Sequence, residues 1–301
     1  MEKHFKGGKF FNRYRITGRL IAESPLHIGD GEMASNPARM PQADESEEAH
    51  KFTTVMADVN GRAYIPGSTL KGNLRAWLTQ LLSDFNLACV NDSDREKTLF
   101  EMLEESRGAD KAEVYKKLHE NLMMAEYLFG SNANEGKLEF WDAAMAEPPV
   151  IDNAHILAYS GYDETRGTIL QRSVAIDPKK GTAARNKLYN YEVVPQGAAF
   201  QLTVAGQNLC DAEIGMLLFA LEGFNSFIYP VTLGAKGSVG MGRFRFEFQD
   251  IRYLNKENFQ EWITDAVQNG HAGYENLPVL SEQARKRRIQ EFKESFLEQI
   301  R

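Results

Sequence analysis

The sequence has 301 residues, of which 43% are hydrophobic and 26% are charged, a composition that excludes a disordered chain and predicts one large or two small globular domains. It contains no run of about 18 apolar residues that could span a bilayer, and it shows no secretory apolar region, so we expect a cytoplasmic protein with no membrane partner. The formal net charge of −7 disfavours nonspecific binding to nucleic acid but allows a local basic groove.

The first part of the chain predicts two extended segments separated by a long loop. Residues 14–23 alternate apolar and polar side chains, as in a half-buried strand. From Ser24 to about Lys51 the chain is mostly polar and predicts a loop, since no strand or helix period is evident there. The acidic residues in the middle of this loop are Asp44, Glu45, Glu47 and Glu48. Residues 52–59 are expected to be extended and to lead into a tight turn at Asn60-Gly61.

The segment from Tyr64 to Trp77 predicts a helix start that binds an anion. Pro66-Gly67 ends the extended run and Ser68 is a favourable N-cap, so a helix should run from Ser68 to about Ser83. Lys71 and Arg75 are four residues apart on one face of this helix. A cation in the first turn opposes the helix dipole, which favours a phosphate or another anion beside it. The alternative is an ordinary surface pair on an amphipathic helix.

The middle of the chain predicts an inserted helical element and a basic hairpin. Residues 92–129 should form two or three helices that end at Gly130, and the chain is expected to be extended at 137–142 and from Pro149 through Tyr159. Between 166 and 195, six basic residues oppose Asp177 and Glu192, and strand patterns flank the polar segment 177–190. The basic residues are Arg166, Arg172, Lys179, Lys180, Arg185 and Lys187. This charge favours contact with a polyanion, and a solvated hairpin is the alternative.

The C-terminal third predicts a strand, a helix and a Gly-rich loop. Residues 200–204 and 243–248 have strand patterns, and residues 213–224 form an amphipathic helix. The loop between the helix and the last strand contains Gly234, Lys236, Gly237, Gly240, Gly242 and Arg243. Its glycines expose backbone N–H groups and allow another backbone to approach, and its cations favour a phosphate contact over simple turn chemistry. Residues 257–267 and 281–300 predict two further helices, the second facing solvent or a partner.

Two cysteines are present and they are far apart. Cys89 and Cys210 form no Cys-x-x-Cys pair, so neither a disulfide framework nor a zinc site is indicated.

Several short motifs occur in one order along the chain. They are Pro-Leu-His-Ile-Gly at 25–29, Tyr-Ile-Pro-Gly-Ser-Thr-Leu-Lys-Gly-Asn-Leu-Arg at 64–75, Val-Ala-Ile-Asp at 174–177, Gly-Thr-Ala at 181–183, Tyr-Glu-Val-Val-Pro-Gln-Gly-Ala-Ala-Phe at 191–200, and the late Gly-rich loop. In this combination the chain resembles the RAMP superfamily, and within it the repeated backbone subunit of type III CRISPR effector complexes. The resemblance covers residues 14–248, and the ordered set is more specific than any single motif.

The resemblance implies an α+β fold with a ferredoxin-like, RRM-related βαββαβ core. It implies a palm over residues 1–250, with a helical insertion at about 84–130 and a thumb-like hairpin at about 166–195, and a C-terminal helical extension over 251–301. His27, Lys71 and Arg75 match positions that line the guide-RNA groove. The loop with Gly234, Lys236, Gly237, Gly240 and Gly242 should lie against RNA backbone. The thumb, which contains Arg172, should wedge between nucleotides.

The partners implied by the resemblance are CRISPR guide RNA, single-stranded target RNA, other subunits of the effector complex and further copies of this chain. Two functions remain open: an endoribonuclease subunit that cuts target RNA with a loop carboxylate and Mg²⁺ or Mn²⁺, and a noncatalytic guide-RNA scaffold. An end-capping subunit or a guide-processing endoribonuclease of the same superfamily is a third alternative.

The aspartate that the resemblance leads us to expect shortly before the Pro-Gly-Ser motif is not in place, because that segment reads Lys51 to Asp58 without an Asp-x-Pro pattern. The candidate carboxylates are therefore Asp30, Asp44, Glu45, Glu47, Glu48 and Asp58. Asp58 is expected to shape the Asn60-Gly61 turn, and Asp30 the turn after the first strand. Asp44 is our candidate for the cleaving residue, with Glu45 beside it to help hold the metal. The alternative is that this acidic loop is only solvated.

Overall fold

The computed structural model describes residues 4–40, 50–89, 93–176, 183–270, 273–277 and 279–301, which form ten strands and eight α-helices. The strands are β1 (Asn12–Ala22), β2 (Gly29–Ser35), β3 (Lys51–Val55), β4 (Tyr64–Ile65), β5 (Leu138–Phe140), β6 (Ala143–Glu147), β7 (Ile169–Ile176), β8 (Ala183–Val193), β9 (Ala199–Gln207) and β10 (Phe244–Asn255). The helices are α1 (Gly67–Leu82), α2 (Ser93–Glu105), α3 (Lys111–Asn121), α4 (Met124–Phe129), α5 (Ala154–Tyr159), α6 (Asp211–Glu222), α7 (Phe259–Asn269) and α8 (Glu282–Leu297).

The main sheet has the order β10-β1-β9-β6-β4, with β5 also paired to β9, and each of these pairs is antiparallel. With the second sheet, β4, α5 and the helical insertion set aside, the chain order is β1, α1, the short strands β5 and β6, β9, α6 and β10. This is a βαββαβ unit whose second strand is split into two pieces. The predicted α+β fold with a ferredoxin-like core is confirmed.

One face of the main sheet packs against α1 and α6. Tyr14, Ile16 and Leu20 alternate with half-exposed residues along β1, and they share one hydrophobic core with the apolar faces of the two helices. The alternation arises because successive side chains of a strand point to opposite faces of the sheet. The other face of the sheet carries the polar residues of β1.

The C-terminal helix α8 covers the outer side of α6. A Cβ atom at Gly215 of α6 would collide with the carbonyl of Phe292, so only glycine allows the two helices to approach this closely. Phe292 and Phe296 are buried there, and each contributes about 2 kcal/mol by leaving water. The expectation that this charged helix faces solvent was therefore wrong for one of its faces.

A second sheet, of order β2-β3-β8-β7, stands beside the main one. Strands β7 and β8 form the antiparallel hairpin, and β3 joins β8 in parallel where Thr53 pairs with Tyr191. The stretch expected to be a loop up to Lys51 contains β2, and the predicted polar tip at 177–190 is already strand from Ala183 onwards. Residues 177–182 lie outside the described ranges.

One further boundary agrees with the sequence predictions, and two differ from them. The insertion contains α2, α3 and α4 and ends at Gly130, as expected. The segment up to Tyr159 is helical rather than extended, because Asn153 accepts hydrogen bonds from the N–H groups of His155 and Ile156 and caps α5. The boundary placed at residue 250 falls inside β10, which continues to Asn255.

Candidate nucleic-acid interface

The base of the Gly-rich loop is locked onto the segment that follows β1. The Ala235 N–H donates to the His27 carbonyl at 2.8 Å, and the Gly242 N–H donates to the Pro25 carbonyl at 2.9 Å. Gly234 and Gly242 both have a φ of +77°. A Cβ atom would collide with the His27 carbonyl in the first case and with the Leu233 carbonyl in the second. These two glycines therefore serve the protein's own packing.

The tip of the same loop is open. Gly240 has a φ of +87° and no described atom lies within 4 Å of a Cβ built on it, while a Cβ on Gly237 would meet only the Thr232 hydroxyl, at 3.4 Å. Lys236 adopts the left-handed conformation with a φ of +64°, which costs a non-glycine residue about 1 kcal/mol. Its Nζ atom lies 3.9 Å from the centre of the Tyr191 ring. The loop thus presents its backbone outward and holds its cation over an aromatic face.

His27 is a buried side chain with a fixed orientation. Its Nδ1 atom lies 2.6 Å from the Glu192 carbonyl oxygen. Because a carbonyl can only accept, Nδ1 carries the proton, and Nε2 is left to serve another partner. The ring also contacts the Tyr191 ring edge-on, at 5.7 Å between centroids.

His27, Tyr191 and Lys236 line one cleft of about 330 Å³, which we call the loop cleft. Lys51, Thr53 and Tyr189 also line this cleft. Tyr189 is 55% exposed and directs its ring outward. Cations beside exposed aromatic rings are the groups on which single-stranded nucleic acid binds and stacks. Sequence reasoning missed Lys51, Tyr189 and Tyr191, although the Tyr-x-Tyr spacing on a strand would have placed both tyrosines on one face.

The buried carboxylate of Glu192 connects the strands of the second sheet beneath the loop cleft through hydrogen bonds. Glu192 accepts hydrogen bonds from Arg39 and Arg166, each at 2.8 Å, from the Thr168 hydroxyl at 2.6 Å and from the Val55 N–H at 3.1 Å. Burial by itself raises the pKa of Glu192, but these bonds together lower the pKa to about 2. The sequence analysis counted Arg166 in the net positive charge of the hairpin, and in the structure its charge is paired with Glu192.

Arg172 lies away from the loop cleft. It is exposed on β7 and pairs with Asn190, whereas Tyr189 and Tyr191 pair with Ser173 and Gln171. Neighbouring residues on a strand face opposite sides, so the Arg172 side chain emerges on the other face of the hairpin. Lys179 and Lys180 lie outside the described residues.

The N-terminus of α1 is already capped by the protein. The helix begins at Gly67 rather than Ser68, and the Gly67 N–H donates to the Asp142 carboxylate at 2.8 Å. A Cβ atom at Gly67 would collide with the Phe140 carbonyl, so this glycine allows the helix to start directly against β5. The anion that the sequence predicted at the helix terminus is therefore, at least in part, the side chain of Asp142.

Lys71 and Arg75 belong to a separate basic group together with Lys6, which we call the α1 basic patch. Burial lowers the pKa of Lys71, and the positive charges of Lys6 and Arg75 lower it further. Lys6 is paired with Glu135 at 2.6 Å and lies 3.4 Å from Glu139. Arg75 also lines a polar cleft of about 310 Å³ against the helical insertion. This polar cleft is distinct from the loop cleft, since the two are lined by different residues.

The two candidate carboxylates that the structure describes are engaged in turns. Asp58 accepts from the N–H groups of Asn60 and Arg62, at 2.8 and 2.9 Å, and so shapes the turn as expected. Asp30 accepts from the Thr54 hydroxyl at 2.6 Å and from the Glu32 N–H at 2.9 Å. Asp44, Glu45, Glu47 and Glu48 lie outside the described ranges. Within those ranges, no group of three or more His, Cys, Asp or Glu side chains is placed to hold a metal ion.

A ferredoxin-like sheet with an open Gly-rich loop, cations and the exposed Tyr189 ring defines an α+β protein suited to bind nucleic acid. The family model of the RAMP superfamily matches residues 19–245, and the chain belongs to that superfamily. Membership supports a CRISPR-associated RNA-binding role, since RAMP proteins generally bind CRISPR RNA in multi-subunit complexes. A search of curated proteins found no match. None of the helices that the structure describes is long and apolar enough to cross a membrane.

Proposed function

We propose that this chain is a guide-RNA-binding backbone subunit of a type III CRISPR effector complex. The observation that supports this most directly is the division of the Gly-rich loop. Gly234 and Gly242 fix its base, while Lys236, Gly237 and Gly240 form an open tip beside the loop cleft. A loop built only as a turn has no need of a lysine held in the left-handed conformation over a tyrosine ring.

Two surfaces would then share the guide. In the loop cleft, Lys51 and Lys236 supply charge for phosphates, Tyr189 supplies an exposed ring for a base, and Nε2 of His27 supplies a polar contact. In the α1 basic patch, Lys71 and Arg75 supply a second phosphate contact. Phosphate contacts set position rather than sequence, which suits a subunit that must accept guides of any sequence.

A binding assay with the full chain and single-stranded guide RNA tests this proposal. Tyr189→Ala removes a stacking ring and should weaken binding by about 1–3 kcal/mol if a base stacks there. The matched control is Tyr159→Ala, which removes an exposed tyrosine of α5 that lines none of the surfaces described above. Equal affinity for wild type and the Tyr189→Ala variant, with a folded protein, would contradict the loop cleft as the guide site.

We further propose that the subunit cuts target RNA with a loop carboxylate and Mg²⁺ or Mn²⁺. Asp44 is the residue we favour, because Asp30 and Asp58 hold the protein's own turns. Within the described residues no side-chain cluster fits a divalent ion, so Asp44 and Glu45 would have to hold it together with RNA phosphate. The noncatalytic scaffold, the end-capping subunit and the guide-processing endoribonuclease are the competing functions.

A further inference from the structure

An apolar pair stands fully exposed on the loop after α6. Phe227 is 89% and Ile228 is 97% exposed. The loop that carries them is firmly held, because the Trp77 indole N–H donates to the Tyr229 carbonyl at 2.9 Å and the Asn225 side chain bonds both backbone groups of Phe246, at 2.9 and 3.1 Å. We call Phe227 and Ile228 the apolar knob. Two large apolar side chains fixed in solvent mark a surface that a partner covers.

An apolar groove of about 510 Å³ lies elsewhere on the chain, between the start of β1, the end of β10 and α7. Its apolar walls are formed by Phe10, Leu254, Phe259, Trp262 and Leu277. Arg13 and Tyr274 also line it, and they hydrogen bond to each other at 2.7 Å. We call this the aromatic groove. Its lining is the kind of surface that receives a buried aromatic or aliphatic anchor at a protein interface.

The knob and the groove lie at opposite ends of the same strand. The knob loop is bonded to Phe246, near the position where β10 pairs with the end of β1, whereas the groove contains Leu254, which pairs with Arg13 near the start of β1. Eight residues of strand separate Phe246 from Leu254, or about 25 Å. The knob therefore cannot reach the groove of its own chain, and the groove of a second copy is the one that it could fill. Such a contact is head-to-tail, and it produces an open stack of copies when its rotation does not close a ring.

Charged side chains flank both surfaces, and the acidic residues beside the groove can meet a cation beside the knob. Glu257, in the turn before α7, and Glu261, on α7, are exposed next to the groove. Arg243 and Arg245 line the cavity beside Phe227. Glu23 shares that cavity and Arg245 is paired with Glu247, so Arg243 is the cation best placed to meet the acidic rim. Opposite charges at the rim fix the orientation of an interface more than its affinity.

We propose that the apolar knob of one copy inserts into the aromatic groove of the next copy of this chain. The contact rests on the proposed role as a repeated backbone subunit, and it supplies the protein–protein interface that such a role needs. RNA binding uses the loop cleft and the α1 basic patch, neither of which contains a knob or groove residue. The two functions can therefore be separated by mutation.

The experiment uses the full chain and its variants in two measurements. The first is the mass of the complexes formed on single-stranded RNA long enough for several copies. The second is the affinity for RNA that fits one copy. Phe227→Ser with Ile228→Ser removes the knob, and Trp262→Ala opens the groove. Glu257→Arg with Glu261→Arg is a second groove variant on exposed positions, for use if Trp262→Ala lowers the melting temperature. Val59→Ser is the control, because Val59 is fully exposed on an unrelated turn.

Each defective variant alone should occupy the long RNA as single copies, with at least a tenfold loss of self-association, while the Val59→Ser variant behaves as wild type. A mixture of the knob variant and the groove variant should form pairs that do not grow longer, because one intact knob and one intact groove remain per pair. Wild type that never places adjacent copies on long RNA, or a mixture that forms no pairs, overturns the proposal.

The short RNA separates this proposal from the proposed function. Unchanged affinity of the knob variant for short RNA, together with lost stacking, supports the knob as a protein contact. Weaker short-RNA binding with intact stacking would make the knob an RNA contact and overturn the proposal. If the wild-type chain self-associates but binds no guide RNA, the proposed function is contradicted and the proposed interface is not.

Discussion

Lys71 is unusual among the cations of the chain, because its surroundings disfavour its charge. Burial lowers its pKa, and the neighbouring Lys6 and Arg75 lower it further. A phosphate placed beside Lys71 would reverse both effects, since an anion favours the charged form of the amine. The α1 basic patch is therefore better explained by a ligand that arrives from outside than by the helix alone.

Replacement of Lys71 and Arg75 by alanine should weaken guide-RNA binding and reduce its dependence on salt. Each phosphate contact contributes a slope of about 0.7 on single strands, so the double variant should lose a slope of about 1.4. Titrations between low and moderate salt measure this, with Lys286→Ala on the exposed face of α8 as the control. If affinity and slope both match the wild type, the patch is not a phosphate site.

Glu192 makes a pH-dependent contribution to stability. Its pKa is about 2 in the folded protein, below the ordinary value of 4.5. The stabilisation is fully present above pH 4.5 and is lost as the pH falls through 2, because protonation removes the charge that Arg39 and Arg166 need. The shift corresponds to about 3 kcal/mol.

Glu192→Gln should lower the free energy of unfolding by about 3 kcal/mol at pH 7, since it leaves two guanidinium groups without their carboxylate. It should also flatten the acid limb of the stability curve between pH 4.5 and 2. Urea unfolding at several pH values checks both effects. Glu291→Gln, which removes an exposed partner of Arg288, is the control and should leave the acid limb in place.

At the scale of elements, the Gly-rich loop acts through its backbone in two different ways. Gly234 and Gly242 meet carbonyl groups of the protein, so valine there should destabilise the fold itself. Gly237 and Gly240 face open space, so valine there meets no carbonyl group of the protein and obstructs an incoming backbone. Only at Gly240 does the positive φ add backbone strain.

We therefore expect Gly237→Val or Gly240→Val to impair assembly on guide RNA more than Lys236→Ala does. Gly240→Val carries an added strain because its φ is +87°, so thermal unfolding must show that this variant is folded. Assembly is measured as the fraction of chain that co-migrates with guide RNA. If both valine variants assemble normally and Lys236→Ala does not, the loop contributes only the charge of Lys236 and its glycines are ordinary turn residues.

The elements differ in how well the sequence predicted them, and the reason is physical. β1, α1, α6 and β9 were all predicted to within a few residues. β1 and α1 have periodic patterns because each buries one face. The predicted amphipathic helix α6 and the alternating strand β9 are instead buried on nearly all sides, because α8 and the neighbouring strands cover them. β2 has an exposed, polar sequence and becomes a strand only by pairing with β3. α5 is six residues long, too short for a helical period to show.

The residues of the candidate site also differ in whether a local sequence pattern could reveal them. Lys236 and the glycines belong to one short local motif and were proposed from it, whereas His27 was proposed from the family resemblance. Lys51 and the tyrosines of β8 reach the loop cleft only through strand pairing across distant parts of the chain. Glu192 was read as an acid on a basic hairpin, because nothing local reveals that Arg39 lies against it.

For the whole molecule, the two basic surfaces and the acidic net charge of −7 have a joint consequence. An acidic protein is repelled by RNA except where cations are concentrated, so binding should be confined to the loop cleft and the α1 basic patch. Competition with unrelated duplex DNA should then be weak at physiological salt. The copies along a guide would present their loops at a constant interval, because each copy contributes the same two surfaces.

That constant interval leads to the last prediction, which concerns cutting. If the chain cleaves, assembled complex with complementary RNA and Mg²⁺ or Mn²⁺ should cut the target at regular spacing, and Asp44→Ala should abolish the cuts while target binding stays intact. Asp30→Ala and Asp58→Ala serve as controls, since both carboxylates hold turns in the protein. Undiminished cutting by the Asp44→Ala variant would transfer the role to Glu45, Glu47 or Glu48. Intact target binding by a wild-type complex that never cuts would leave this subunit a scaffold, because the same surfaces then position RNA without a carboxylate in reach of the scissile phosphate.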